Sequence, residues 1–149
     1  MDSPLVVEGE GVLYFAAPLF GAYRDHDYWV YREVVKNALR AFLPRPLVKL
    51  SGPGWVEATL HEQPADDGRP ERRVLHLVAY HPRRTMQPVQ HVDQSWPTSG
   101  LAVDVLMDGR TLHSVYVAPE NEPLDIDMVD DYARIALPPL GTHTTVVLE

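Results

Sequence analysis

The feature that most constrains this chain is the run Arg73-Val74-Leu75-His76-Leu77-Val78-Ala79-Tyr80. It is rich in long aliphatic and β-branched residues, and charge bounds it at Arg72-Arg73 and at Arg83-Arg84. An apolar run of this length without strict alternation predicts a strand buried on both faces, or nearly so. Such a strand needs other strands to cover it. The fold therefore turns on whether the flanking sequence supplies them.

It does. Trp55 to Glu62 alternates, with Val56, Ala58 and Leu60 on one side and Glu57, Thr59 and His61 on the other, the pattern of a half-buried strand. Gln63 to Pro70 contains Pro-Ala-Asp-Asp-Gly and reads as the hairpin connection between these two strands. Leu47–Leu50 is a short strand ahead of the Ser51-Gly52-Pro53-Gly54 turn. Further strands are expected at Leu101–Met107, Thr111–Ala118, Ile126–Val129, Tyr132–Leu137 and Thr144–Leu148, with tight turns at Asp108-Gly109 and Asp130-Asp131. His81 to Ser99 reads as a long Pro-bearing loop. Short strands at this spacing, punctuated by Gly, Pro and Asp, predict an antiparallel β-sandwich. The 14 prolines fit a chain with many turns and few helices.

The first 46 residues differ in character. Glu8-Gly9-Glu10-Gly11 is a turn signal, and Val12-Leu13-Tyr14-Phe15 follows as a brief strand. Pro18 and Gly21 then break regularity, and Tyr23-Arg24-Asp25-His26-Asp27 reads as an aromatic, charged loop. Asp27 is placed to N-cap a helix over Tyr28–Leu43. That helix carries Tyr31, Val34, Val35, Ala38, Leu39 and Phe42 on one face and Arg32, Glu33, Lys36 and Arg40 on the other. Pro44 and Pro46 end it, because neither ring continues the backbone ladder. The expected organisation is mainly β: a segment of one short strand and one amphipathic helix (1–46), followed by an antiparallel β-sandwich (47–149).

The order of these parts carries a resemblance. Gly11-Val12-Leu13-Tyr14-Phe15, followed by Tyr31-Arg32-Glu33-Val34-Val35-Lys36-Asn37-Ala38-Leu39, is similar to the last strand and helix of a trimerisation domain. That domain is the glutamine-amidotransferase-like middle domain of β-galactosidase-type glycoside hydrolases. The later runs Val56–His61, Leu75–Tyr80 and Leu140–Glu149 resemble the small C-terminal sandwich that follows it in such proteins. The resemblance implies a parallel sheet in which Val12–Phe15 would pair. Most of that sheet and the catalytic barrel with its paired acids have no counterpart in this sequence, so the hydrolysis performed by the family is not carried over. What the resemblance implies is a non-catalytic module acting in assembly.

The chemistry-bearing residues agree with that expectation. A formal net charge of −8 disfavours nucleic acid and anionic membranes as partners, since phosphate contacts need clustered Lys and Arg. Cysteine is absent, which removes disulfides, thiolate nucleophiles and Cys-based metal sites. No basic-then-apolar leader opens the sequence, and no apolar run approaches the length that spans a bilayer, so a cytoplasmic location is expected. Glycoside hydrolysis requires two carboxyl groups held around a sugar. Glu57 and Glu62 lie on a strand's polar edge, and Glu120 and Glu122 flank a Pro turn, positions that read as solvated surface. No catalytic residue and no cofactor is therefore assigned.

Asp125 to Asp131 lacks the oxygen ligand, the Gly and the closing Glu of a calcium loop. His61, His76 and His81 could meet across a sheet, but no pair has a compact ligand spacing. Hydrogen-bonded structural histidines are preferred there, and no metal site is assigned. The serines lack a nucleophile-elbow context. Two surfaces remain. Tyr23, Arg24, His26 and Trp29, with Trp96 in a separate loop, could stack on and hydrogen-bond a sugar ring. The face bearing Val34, Val35, Ala38, Leu39 and Phe42, with unpaired backbone on the Val12–Phe15 strand, could meet a second copy in a two-fold dimer. Aromatics at helical spacing more often pack than bind, which puts assembly first and carbohydrate binding second.

Overall fold

The computed structural model describes residues 6–26, 28–80 and 96–149. They form two compact units, Met1–Pro46 and Leu47–Glu149. No helix among the described residues is long and apolar enough to cross a membrane.

The first unit opens with an antiparallel hairpin. β1 (Val6–Gly9) pairs with β2 (Val12–Phe15) from Val6 opposite Phe15 to Gly9 opposite Val12. The turn between them places Gly11 at φ +73°, a conformation that suits glycine. One edge of β2 is thus occupied by the chain's own N-terminal strand. This corrects the expectation of an unpaired strand belonging to a parallel sheet.

Two helices follow rather than one. α1 spans Leu19–His26 and α2 spans Trp29–Phe42. The stretch expected to be an aromatic loop is the second half of α1. Pro18, read as a breaker, stands just before the helix, and its carbonyl accepts the Ala22 N–H at 2.9 Å. A proline costs a helix nothing at this end, where no N–H is needed. Gly21 is tolerated in the first turn because Leu19, buried at 5% exposure, anchors it. Asp27, the expected N-cap, lies outside the described residues. Tyr28 takes the N-cap position of α2, with extended backbone and no side-chain cap. At the other end the Leu43 N–H still reaches the Leu39 carbonyl at 2.7 Å before Pro44 stops the ladder.

The second unit is the antiparallel β-sandwich. One sheet has the order β3 (Val48–Ser51), β6 (Ala102–Leu106), β10 (Tyr132–Ala136), β9 (Ile126–Val129). The other has the order β4 (Val56–Gln63), β5 (Arg72–Ala79), β11 (His143–Leu148), β7 (Val115–Ala118), β8 (Glu122–Pro123). Each neighbouring pair is antiparallel. Leu75, Leu77 and Val146 from the five-stranded sheet meet Val103, Val105 and Ile135 from the four-stranded sheet, all fully buried.

β5 is an interior strand, held between β4 and β11 as the apolar run predicts, although the middle of the five strands is β11. Its burial is asymmetric. Arg73, Leu75, Leu77 and Ala79 face inward and are buried, whereas on the other face Val74 is covered, His76 is half-buried and Val78 is 36% exposed. The expectation of two buried faces is corrected. In a two-layer sandwich each sheet meets the other on one face only.

Turn chemistry is correct locally but misjudged one connection. Asp66–Arg69 closes the β4–β5 hairpin, with Gly68 at φ +84°, and Asp130 at φ +55° turns β9 into β10. Asp108 and Gly109 also adopt positive φ, yet they join β6 to β7, which lie in different sheets. Arg73 ties the two layers together from inside. Its Nε and Nη2 donate to Glu62 Oε1 at 3.0 and 2.8 Å, and Nη1 donates to the Leu106 carbonyl of the facing sheet.

Candidate functional site

The site with the clearest shape lies within the first unit. α2 carries Tyr31, Val35 and Leu39 at strict four-residue spacing, and Leu43 extends the row past the helix end. Residues four apart stack along one side of a helix. Leu19, Phe20 and Tyr23 of α1 face that row, and together they line an open apolar groove of about 500 Å³. Phe15 of β2 meets Phe20 edge to face, with ring centroids 5.8 Å apart.

The groove is wet. No residue of α2 is buried, and Phe20, Leu39 and Leu43 are 65%, 47% and 57% exposed. Arg32, Lys36 and Arg40 run along the rim, one position further round the helix. Glu33 accepts Lys36 Nζ at 3.2 Å and lies 3.8 Å from Arg32 Nε. These exposed pairs contribute little to stability but fix the local charge pattern.

The structure divides the expected interface residues. Val35 and Leu39 line the groove, whereas Val34, Ala38 and Phe42 are half-buried and do not line it. Leu19, Phe20 and Leu43 are groove residues that the sequence reading omits. The signal for them is the three-to-four spacing of Leu19, Phe20 and Tyr23 after Pro18, which Gly21 interrupts.

The expected carbohydrate contacts are likewise divided. Tyr23 lines the groove, and Arg24 and His26 are exposed on the last turn of α1, where Arg24 Nε donates to Asp25 at 3.1 Å. Trp29 is 60% exposed; Tyr28 stands edge-on to it at 6.3 Å and to Tyr31 at 5.7 Å between centroids. Trp96, also exposed, belongs to the second unit.

No family model matches the sequence, and no curated protein matches it. A solved structure does: an α-L-fucosidase isoenzyme 2 from Paenibacillus thiaminolyticus has a TM-score of 0.82 over 98% of this chain, at 24% sequence identity. The fold is that of one part of a glycoside hydrolase. The chain spans 22% of that protein's length. At this identity the likeness concerns fold: both the helical segment and the sandwich recur inside the larger enzyme.

Two of the four carboxylates weighed for catalysis, Glu62 and Glu57, have side-chain partners in the second unit. Glu62 binds Arg73 and approaches Arg110 at 3.3 Å, and the Arg73 hydrogen bond holds its carboxyl below the usual carboxylate range. Glu57 accepts the Tyr80 hydroxyl at 2.6 Å, which raises the Tyr80 pKa above the ordinary phenol value. Glu122 sits in the short edge strand β8, exposed. The aspartates between Asp125 and Asp131 belong to the β9–β10 hairpin, where Asp127 is paired with Arg134 in register. Among the histidines, His61 and His76 do meet across β4 and β5, with ring centroids 5.5 Å apart. His81 lies outside the described residues. The third ring against His76 belongs to His143 of β11.

Proposed function

We propose that this chain is a non-catalytic assembly module of a glycoside-hydrolase-like protein, and that it joins a second copy through the α1–α2 groove. The single observation that carries the reading is the apolar, open groove whose helix α2 buries no residue in its own unit. Contiguous exposed apolar surface of this kind marks an interaction site. The resemblance of the first 46 residues to the end of a β-galactosidase-type trimerisation domain supports the same role. So does the likeness to 22% of a fucosidase chain, which corresponds to a part of a hydrolase rather than a whole one.

A second copy is the occupant we favour: two α2 helices packed antiparallel, Val35 of one against Leu39 of the other, would cover the exposed apolar row of each with that of its mate. The arrangement is isologous and closes as a two-fold dimer, the commonest oligomer. The test is the double substitution Val35→Glu, Leu39→Lys. It should halve the mass of the assembled protein in light scattering while leaving the sandwich's circular dichroism intact; an unchanged mass would reject the groove as the interface.

A second reading has one observation in its favour. Trp29 and Tyr28 are 60% and 52% exposed, and flat aromatic faces of this kind pack against sugar rings. Titration with galactosides, fucosides and polysaccharides while following tryptophan fluorescence decides it. Binding abolished by Trp29→Ala would establish a carbohydrate site, and no change at millimolar sugar would dismiss it.

A further inference from the structure

We infer that the exposed face of the five-stranded sheet carries a binding site for one divalent transition-metal ion, built from His76 of β5 and His143 of β11. His76 Nδ1 and His143 Nε2 lie 3.2 Å apart. Two imidazole nitrogens bound to one tetrahedral zinc at about 2.0–2.1 Å stand roughly 3.3–3.4 Å from each other. The Thr145 hydroxyl completes a near-equilateral triangle, 3.4 Å from His76 Nδ1 and 3.5 Å from His143 Nε2. Three donor atoms thus converge at the spacing of one face of a coordination tetrahedron.

The backbone fixes this convergence. His76 pairs directly with Thr145 across β5 and β11, and His143 follows two residues away on the same strand, opposite Val78. Alternate residues on a strand share a face, so all three side chains rise on one side of the sheet. Both strands are interior to the five-stranded sheet, so their positions are set by ladders on either side. The rings of His76 and His143 lie nearly parallel, 11° apart, with centroids 5.4 Å apart, so the two nitrogens face each other and a small turn of each ring would aim both at one ion. Without an ion, one nitrogen donates its proton to the other. With an ion, both lone pairs are taken, and the ring that donated carries its proton on its other nitrogen instead.

The ion class follows from the donors. Two imidazoles select Zn²⁺, Cu²⁺, Ni²⁺ and Co²⁺ over Mg²⁺ or Ca²⁺, which prefer oxygen. His61 sets its ring against His76 at 77°, beside the pair. No group of three His, Cys, Asp or Glu among the described residues is placed to hold an ion. The site is therefore a two-imidazole clamp with water and the Thr145 hydroxyl at the remaining positions, open to solvent, and it ties β5 to β11.

The test is calorimetric titration of the full chain with Cu²⁺ and with Zn²⁺ in a non-chelating buffer, beside His143→Gln, His76→Gln and His113→Gln. One Cu²⁺ per chain should bind more tightly than Zn²⁺. Affinity should fall at least tenfold in either of the first two variants and stay unchanged in His113→Gln. The paramagnetic resonance of the Cu²⁺ complex should show two equatorial nitrogens in the wild type and one in each clamp variant. No saturable binding up to 100 times the protein concentration, or binding that survives His143→Gln, overturns the proposal. Both substituted rings lie on an exposed or half-buried face, so unchanged thermal unfolding of the ion-free variants shows that lost binding is not lost folding.

Discussion

The asymmetric burial of β5 makes a sharp prediction for two adjacent residues, Leu77 and Val78. Leu77 is fully buried, pairs with Ala58 and Thr144 on its two sides, and packs in the cluster with Val103, Val105 and Ile135. Val78, one residue on, points to the other face and is 36% exposed. Truncation of Leu77 to Ala loses the transfer free energy of the removed carbons and leaves a cavity in a closely packed layer. The two effects together give about 2–5 kcal/mol. Val78→Ala loses partly solvated methyl groups and leaves no cavity, so its cost should stay below about 1 kcal/mol.

Urea unfolding followed by circular dichroism measures both variants. Leu77→Ala should lower the midpoint strongly at constant slope, since the surface exposed on unfolding hardly changes. In thermal unfolding about 3 kcal/mol would lower the midpoint by roughly 12–24 °C for a unit of this size. Equal costs for the two substitutions would refute the assignment of inner and outer faces. A cost below about half a kcal/mol for Leu77→Ala would mean that β5 is not the core of the sandwich.

Three more outcomes follow from the same geometry. Arg73→Met should destabilise the sandwich by about 1–3 kcal/mol in urea unfolding, because it removes a buried donor from the Leu106 carbonyl. The Arg134 hydrogen bond depresses the Asp104 pKa, so this pair's contribution is complete above the usual carboxylate range and is lost as pH falls through the lowered value. Asp104→Asn should therefore cut stability at pH 7 and cost progressively less as the pH falls below the usual carboxylate range, compared by unfolding at each pH. The purified chain should release no nitrophenol from aryl galactosides or fucosides above a blank; turnover abolished by Glu120→Gln would overturn the non-catalytic reading.

The sandwich could be read from sequence where local pattern and tertiary role coincide. Val56, Ala58 and Leu60 alternate because β4 has one face against the core, and Asp130 marks a hairpin because β9 and β10 are true neighbours. Pattern failed where the answer lies in the partner. Asp108-Gly109 has hairpin chemistry, but whether the next strand returns to the same sheet is not encoded in the turn. The outer face of β5 carries Val74 and Val78 on either side of His76, so the run lacks the strict alternation that would mark one face as solvent-facing. α1 was masked by Pro18 and Gly21, each of which a helix accepts at its start. His143 could not be linked to His76, since the pair is separated by 67 residues and meets only through the β5–β11 register.

The proposed assembly role rests on what covers the groove between α1 and α2. The most direct measurement is the mass of the unmodified chain by light scattering across a dilution series around tens of micromolar. A species of twice the 16.8 kDa chain mass that dissociates on dilution is expected. A mass of one chain throughout the series would contradict it.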